Sequence, residues 1–247
     1  MSLKYEPCPK CRARGADSRG DNLVAYPDGG KHCFACGYHE QQTGRRPAAE
    51  TGLKGDFLDK TVLPSDFTRQ VDPAGWKWLS QYGLPISYWQ NHCGYSPKEG
   101  RVVFPIPRQN PVFSVGRLVE TDKFPEGSRW KAWGDKNQHA EIIGDVALSP
   151  ITVVVEDLIS AHKVGQVYTT LPLFGINVST AHLKALQRLS KPIVLWLDWD
   201  QRGLVAKRAT RISLLTGLPV YVLHTRKDPK LLSVKEIKEC ISSLHIF

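Results

Sequence analysis

The residues best equipped to do chemistry are four of the six cysteines and a set of acids in the second half of the chain. The cysteines form two Cys-x-x-Cys pairs, Cys8/Cys11 and Cys33/Cys36, with positions 12–32 between them. Two thiolates three positions apart on a tight turn can hold one edge of a tetrahedron, and a second pair supplies the opposite edge. This spacing predicts a structural Zn²⁺ site with no open coordination position. A redox dithiol is the alternative for a single pair. Two pairs flanking a hairpin favour the metal, and the residues between them read as one: Leu23-Val24-Ala25-Tyr26, the turn Pro27-Asp28-Gly29-Gly30, then Lys31-His32-Cys33-Phe34. His32 and His39 are spare candidate ligands. Cys93 and Cys240 stand at no metal spacing and are expected as buried thiols.

The acids are Glu156, the run Asp198-Trp199-Asp200, and Asp228. Clustered carboxylates repel unless a cation neutralises them, and Mg²⁺ or Mn²⁺ suits all-oxygen ligands and phosphates. Such a cluster needs elements that converge. Glu156 directly follows the β-branched run Ile151–Val155, Asp198 follows the apolar run Pro192–Leu197, and Asp228 comes shortly after Pro219–Leu223. Three strands are therefore expected, separated by helices over Leu158–Val167 (amphipathic), from Ser179/Thr180 to about Leu189, and over Gly203–Leu215 with Gly217 as its stop. Ser233-Val234-Lys235-Glu236 reads as a capping box opening a last helix. This alternation predicts a parallel sheet. Ligand sites of open α/β sheets lie outside the carboxyl ends of the strands, where these acids sit.

Upstream, Trp76–Tyr82 and Pro85–Asn91 read as short helices broken at Gly83. Arg101–Ile106 reads as a strand, and Pro111–Glu120 as a second with Val112, Val115 and Leu118 as its apolar positions. Residues 41–55 (QQTGRRPAAETGLKG) read as a flexible tether. Hydrophobic residues at 41% and charged residues at 23% fit an ordinary folded core and exclude wholesale disorder. With 33 Lys+Arg against 24 Asp+Glu, the net charge of +9 points toward a polyanionic partner. In the ribbon, Lys10, Arg12, Arg14, Arg19 and Lys31 stand among Tyr26, Phe34 and Tyr38, a mixture suited to single-stranded nucleic acid or, equally, to a solvated face over a mini-core. No apolar run approaches the roughly 20 residues of a membrane span, and Met1–Glu6 has no signal-peptide core. A cytoplasmic protein without membrane contact or disulfides is expected.

The motifs together resemble a known family. Glu156 after a buried strand, then Leu197-Asp198-Trp199-Asp200 with Gly203, resembles the Toprim domain of bacterial-type primases, topoisomerases and related nucleases. Gly94-Tyr95-Ser96-Pro97, the run RVVFPI at 101–106, Gly116-Arg117 and Lys131 are similar to the RNA polymerase domain of bacterial-type (DnaG-like) primases. With the cysteine pairs in front, the order and size look most like the primase half of T7-type phage primase–helicases. The resemblance covers nearly the whole chain, and its specificity lies in three motif groups in the right order.

The resemblance implies an α/β fold: an α+β N-terminal subdomain plus a Toprim parallel sheet, with a small N-terminal β-type zinc ribbon. The implied divisions are a ribbon at 1–40, a flexible linker at 41–56, the N-terminal subdomain of the polymerase domain at 57–147 and the Toprim subdomain at 148–247. It implies synthesis of RNA primers on a single-stranded DNA template from ribonucleoside triphosphates, with the ribbon aiding start-site recognition. Cys8, Cys11, Cys33 and Cys36 match the zinc ligands. Glu156 matches the Toprim glutamate, Asp198 and Asp200 the Mg²⁺- or Mn²⁺-binding pair, and Asp228 the acid of a later Lys-Asp segment. Arg117 and Lys131 match basic residues that contact nucleotide or nucleic acid. If the chain is phage-encoded, it is expected in the host cytoplasm.

The chain also departs from the pattern. The Toprim glutamate is usually followed by Gly, with an acid four positions on; here Asp157 replaces the Gly and Ser160 the acid. Asp157 either compensates for the missing acid or caps the following helix. The pattern G-x-x-x-x-G-K-[ST] is absent, so any helicase is expected to be a separate chain. Two rival readings remain: a Toprim nuclease using the same carboxylates, and a non-catalytic zinc-ribbon/Toprim DNA-binding protein of the recombination-mediator type.

Overall fold

The cysteine pairs and the acids fall in different parts of the fold. A computed structural model describes residues 4–15, 17, 20, 22–25, 31–33, 36, 38–40, 62–125, 127–175, 177–199, 202–244 and 246. The chain divides into two compact units, Met1–Asp56 and Phe57–Phe247. The expected linker at 41–56 and the expected turn at 27–30 lie outside the described residues.

The first unit holds strand β1 (Lys4–Glu6), the single helical turn α1 (Pro9–Arg12), and strands β2 (Leu23–Ala25), β3 (Lys31–Cys33) and β4 (His39–Glu40). They form one antiparallel sheet in the order β1-β2-β3-β4, with Leu23 opposite Cys33 and Val24 opposite His32. So small a unit has little apolar surface to bury: Leu23 packs among Cys8, Cys11 and Cys33. Units this small commonly draw their stability from a bound metal.

The second unit opens with α2 (Pro73–Ser80) and α3 (Ile86–Gln90). The Asp72 side chain accepts from the Ala74 amide and Pro73 begins the helix, while Gly83 takes the left-handed φ of +64° that separates the two helices. Strands β5 (Gly94–Ser96), β6 (Arg101–Ile106), β7 (Phe113–Leu118) and β8 (Trp130–Gly134) then form an antiparallel meander. Every residue of β6 is buried. β7 buries Phe113, Val115 and Leu118, but Val112, expected among its apolar positions, is exposed because it precedes the strand. The Arg101 guanidinium is buried and donates to the carbonyls of Gly116, Ser128 and Arg129, which ties the strand ends together.

Beyond residue 150 come β9 (Thr152–Val155), α4 (Leu158–Val164), β10 (Thr169–Pro172), α5 (Thr180–Leu189), β11 (Ile193–Trp196), α6 (Arg202–Thr216), β12 (Val220–Val222), a 3-10 turn (Pro229–Leu231) and α7 (Val234–Ser242). The four strands form a parallel sheet in the order β10-β9-β11-β12. The expected capping box at Ser233/Glu236 is present in full, and Gly217 stops α6 at a φ of +72°.

Two expectations need correction. The sheet has a fourth strand, β10 (Thr169–Pro172), in a stretch expected to carry none, and it is fully buried. The helix α4 is not amphipathic: all seven of its residues are buried, Lys163 and His162 included. The buried charge is satisfied because Lys163 Nζ donates to the Tyr82 carbonyl at 2.6 Å, and His162 Nδ1 meets Tyr88 Oη at 2.8 Å. α4 joins two cores. Leu158 and Ile159 pack with Trp89, Phe104 and Phe113, whereas Ala161 and Val164 pack with Val153 and Trp196. Of the two isolated thiols, Cys93 is fully buried and Cys240 only partly. Among the described residues, no helix is long and apolar enough to cross a membrane.

Candidate functional site

The four cysteines meet. Their sulfurs all lie within 4.8 Å of one another, with Cys8 Sγ to Cys36 Sγ and Cys11 Sγ to Cys33 Sγ both 3.6 Å. None is in a disulfide. Sulfurs about 2.3 Å from a tetrahedral ion stand roughly 3.8 Å apart, so the cluster fits structural zinc. Local chemistry sets the first pair: Cys8 precedes Pro9 at the start of α1, and the Asp17 carboxylate accepts from the amides of Cys8 at 2.6 Å and Gly20 at 2.9 Å. The second pair ends β3, where the Cys33 amide donates to the Tyr38 carbonyl. Burial pushes the Cys11 thiol up to about 12, and its neighbours' thiols push the same way. Holding all four as thiolates would take a cation, which structural zinc would supply.

In the second unit, Glu156 leaves the carboxyl end of β9, and its carbonyl accepts from the Gly175 amide beyond β10 at 3.1 Å. It lines a cleft of about 250 Å³ with Trp130, Lys131, Lys136, Asp157 and Phe174. Glu156 and Lys131 are thus brought together. Lys131 Nζ also holds both carboxylate oxygens of Glu99, at 2.7 and 2.8 Å, and lies 5.0 Å from the centre of the Trp133 ring. Arg117, on β7, lies against the rings of Trp78 and Trp130 at 5.9 and 5.7 Å. It faces a neighbouring groove with Lys77 and Trp78. Burial lowers its affinity for its proton, and its Nε is buried without a hydrogen-bond partner among the described residues.

Asp198 follows β11 and Asp228 begins the 3-10 turn. Lys230 stands between them. Its Nζ is 3.0 Å from Asp157 Oδ2, 3.1 Å from Asp228 Oδ2 and 3.5 Å from Asp198 Oδ2. Burial pushes the Asp198 carboxyl up to about 6; the Lys230 ammonium opposes this, and the Asp157 and Asp228 carboxylates add to it. Burial works against the Lys230 charge, but the facing carboxylates outweigh it and hold its proton more tightly than usual. Among the described residues, Asp198 Oδ1 is buried with no hydrogen-bond partner. The loop that carries Asp228 is pinned by Trp196 Nε1 donating to Thr225 Oγ1 at 2.8 Å, and by that hydroxyl donating to the Lys227 carbonyl.

Asp157 caps α4. One oxygen accepts from the amides of Ile159 and Ser160, and the other from the Ser160 hydroxyl at 2.8 Å. Asp200 lies outside the described residues. Among the described residues, only the four cysteines bring three or more ligand atoms within 4.8 Å of one another; Glu156, Asp198 and Asp228 do not approach so closely. Lys230 was not anticipated from the sequence. Its signal is its place two residues after Asp228, across Pro229.

The architecture is mixed α/β, with an antiparallel cysteine-bearing unit and a parallel four-stranded sheet, and its structural neighbours are DNA primases. The zinc-binding and RNA polymerase domains of Aquifex aeolicus primase share the fold with a TM-score of 0.58 at 14% identity, covering 98% of this chain and 80% of that one. A DNA primase domain from Pseudomonas aeruginosa matches with a TM-score of 0.50 at 22% identity, over 70% of this chain and 60% of that one. The primase fragment of the bacteriophage T7 primase-helicase protein aligns over 100% of both chains at 15% identity with a TM-score of 0.41. No family model and no curated protein matches the sequence.

Proposed function

We propose that the chain is a DNA primase that makes short RNA primers on single-stranded DNA by nucleotidyl transfer. The observation that carries this reading is the placement of acids after parallel strands: Glu156 follows β9 and lines a cleft with Lys131 and Asp157, while Asp157, Asp198 and Asp228 all face Lys230. In the reaction the 3′-hydroxyl of one ribonucleotide attacks the α-phosphate of the next, and pyrophosphate leaves. Asp198, with Asp200, Glu156 and Asp228, would hold Mg²⁺ or Mn²⁺, which supplies positive charge against the triphosphate. The donor set is all oxygen, and the partnerless Asp198 Oδ1 suits a hard cation.

Glu156 orients the attacking hydroxyl at the mouth of the cleft. Lys131 releases Glu99 to hold phosphate oxygens, and Arg117, backed by two indole rings, contacts nucleotide or template. The cysteine unit carries the start-site preference, and a replicative helicase acts as a separate chain. The protein works in the cytoplasm, that of the host if the chain is phage-encoded.

The test is de novo synthesis on mixed-sequence single-stranded DNA with Mn²⁺ and labelled ribonucleoside triphosphates. Short oligoribonucleotides that vanish in Asp198→Ala/Asp200→Ala are expected. Degraded template without RNA product would replace this reading with a nuclease.

A further inference from the structure

Lys230 is the unexpected member of the acidic site. Its ammonium lies within 3.5 Å of carboxylate oxygens from three different segments: Asp157 after β9, Asp198 after β11 and Asp228 before the 3-10 turn. The stem is held in place. Pro229 and Leu232 on either side are buried, the Leu231 amide donates to the Asp228 carbonyl, and the Leu232 amide donates to the Pro229 carbonyl. The backbone at Lys230 is therefore fixed by a closed turn, and three carboxylates hold its ammonium.

The remaining oxygen of Asp198 tells the rest. Asp198 Oδ2 faces Lys230, whereas Oδ1 is buried and has no hydrogen-bond partner among the described residues. One side of this carboxylate is neutralised from within the protein, and the other is left for a ligand. We propose that Lys230 is a built-in cation that stands in for one divalent ion, so that the site takes a single Mg²⁺ or Mn²⁺, on the Asp198 Oδ1 side. The proposal rests on the primase reading for the role of that ion. Lys230 is a positioning residue: it fixes three carboxylates and sets their net charge, and the ion then meets a site already partly neutralised. The arrangement also accounts for Asp157. An acid next to the strand-end glutamate is tolerable because it caps α4 on one side and faces Lys230 on the other.

The test is Mn²⁺ binding to the zinc-loaded full chain without nucleotide, read by calorimetry and by electron paramagnetic resonance. Wild type is expected to bind one Mn²⁺, lost in Asp198→Asn. Lys230→Gln removes the charge and is expected to bind a second Mn²⁺, or to bind the first about tenfold tighter. Lys230→Arg keeps the charge and is expected to behave as wild type. In divalent-free buffer Lys230→Gln should melt below wild type and regain the difference on adding Mn²⁺, a readout available even if its binding isotherm is complex. Two Mn²⁺ per wild-type chain, or equal Mn²⁺ affinity in wild type and Lys230→Gln, would overturn the role of Lys230 and leave the primase reading standing. Mn²⁺ binding indifferent to Asp198→Asn would overturn both.

Discussion

At the scale of residues, the carboxylates of the cleft are kept apart by what each of them touches. Asp198 is lifted by burial to about 6. A raised carboxyl means that folding favours the protonated form. That contribution is fully present below the unfolded value near 3.8 and is lost as pH rises through about 6. Asp198→Asn mimics the protonated form at every pH. Without divalent ions it should match wild-type stability below pH 4 and exceed it above pH 6, by about 1–2 kcal/mol once solvent screening is allowed for. Melts across pH of the two proteins give the answer. Ser160 shows the opposite constraint. It is fully buried and its hydroxyl is committed to Asp157, so Ser160→Asp would press a second carboxylate against the first. A loss of about 3 kcal/mol or more in urea unfolding is expected. The acid that the family resemblance expects at this position cannot simply be restored here.

At the scale of elements, capping and apolar runs made most of the fold legible. Ser233 and Glu236 announced α7, and the β-branched runs announced β9 and β11. β10 was missed because Thr169 and Thr170 dilute its apolar character; the sheet accepts them because their hydroxyls donate to the carbonyls of Asp145 and Tyr168. α4 was misread because its two polar members, His162 and Lys163, are paired inside the protein, which periodicity cannot reveal. Lys230 was invisible for a similar reason, since a lysine in a loop reads as solvated until three segments close around it. The cysteine spacing, by contrast, encoded its geometry outright. Stripping zinc with a chelator, or Cys33→Ala, should unfold β1–β4 while the strands of Phe57–Phe247 persist. Limited proteolysis followed by mass mapping separates the two units.

At the scale of the whole molecule, the net charge of +9 sets how a polyanion is met. Affinity for single-stranded DNA should fall at least about tenfold between 50 and 200 mM salt, each phosphate contact contributing roughly −0.7 to the log–log slope. Fluorescence anisotropy across a salt series measures this slope, and a flat line would rule out backbone contacts as the main source of affinity. The burial of α4 has a consequence of another kind. Its first turn belongs to the core under the antiparallel sheet and its last to the core under the parallel one, and Glu156 and Asp157 lead directly into it. The helix therefore cannot open without dissolving both cores. In native-state hydrogen exchange, amides of Ala161–Val164 should exchange only through global unfolding, the slowest class in the second unit. The backbone that carries Glu156 and Asp157 would then be as durable as the fold itself: these two acids can leave their places only when both cores dissolve, so under the primase reading they form a fixed part of the floor on which substrate lies.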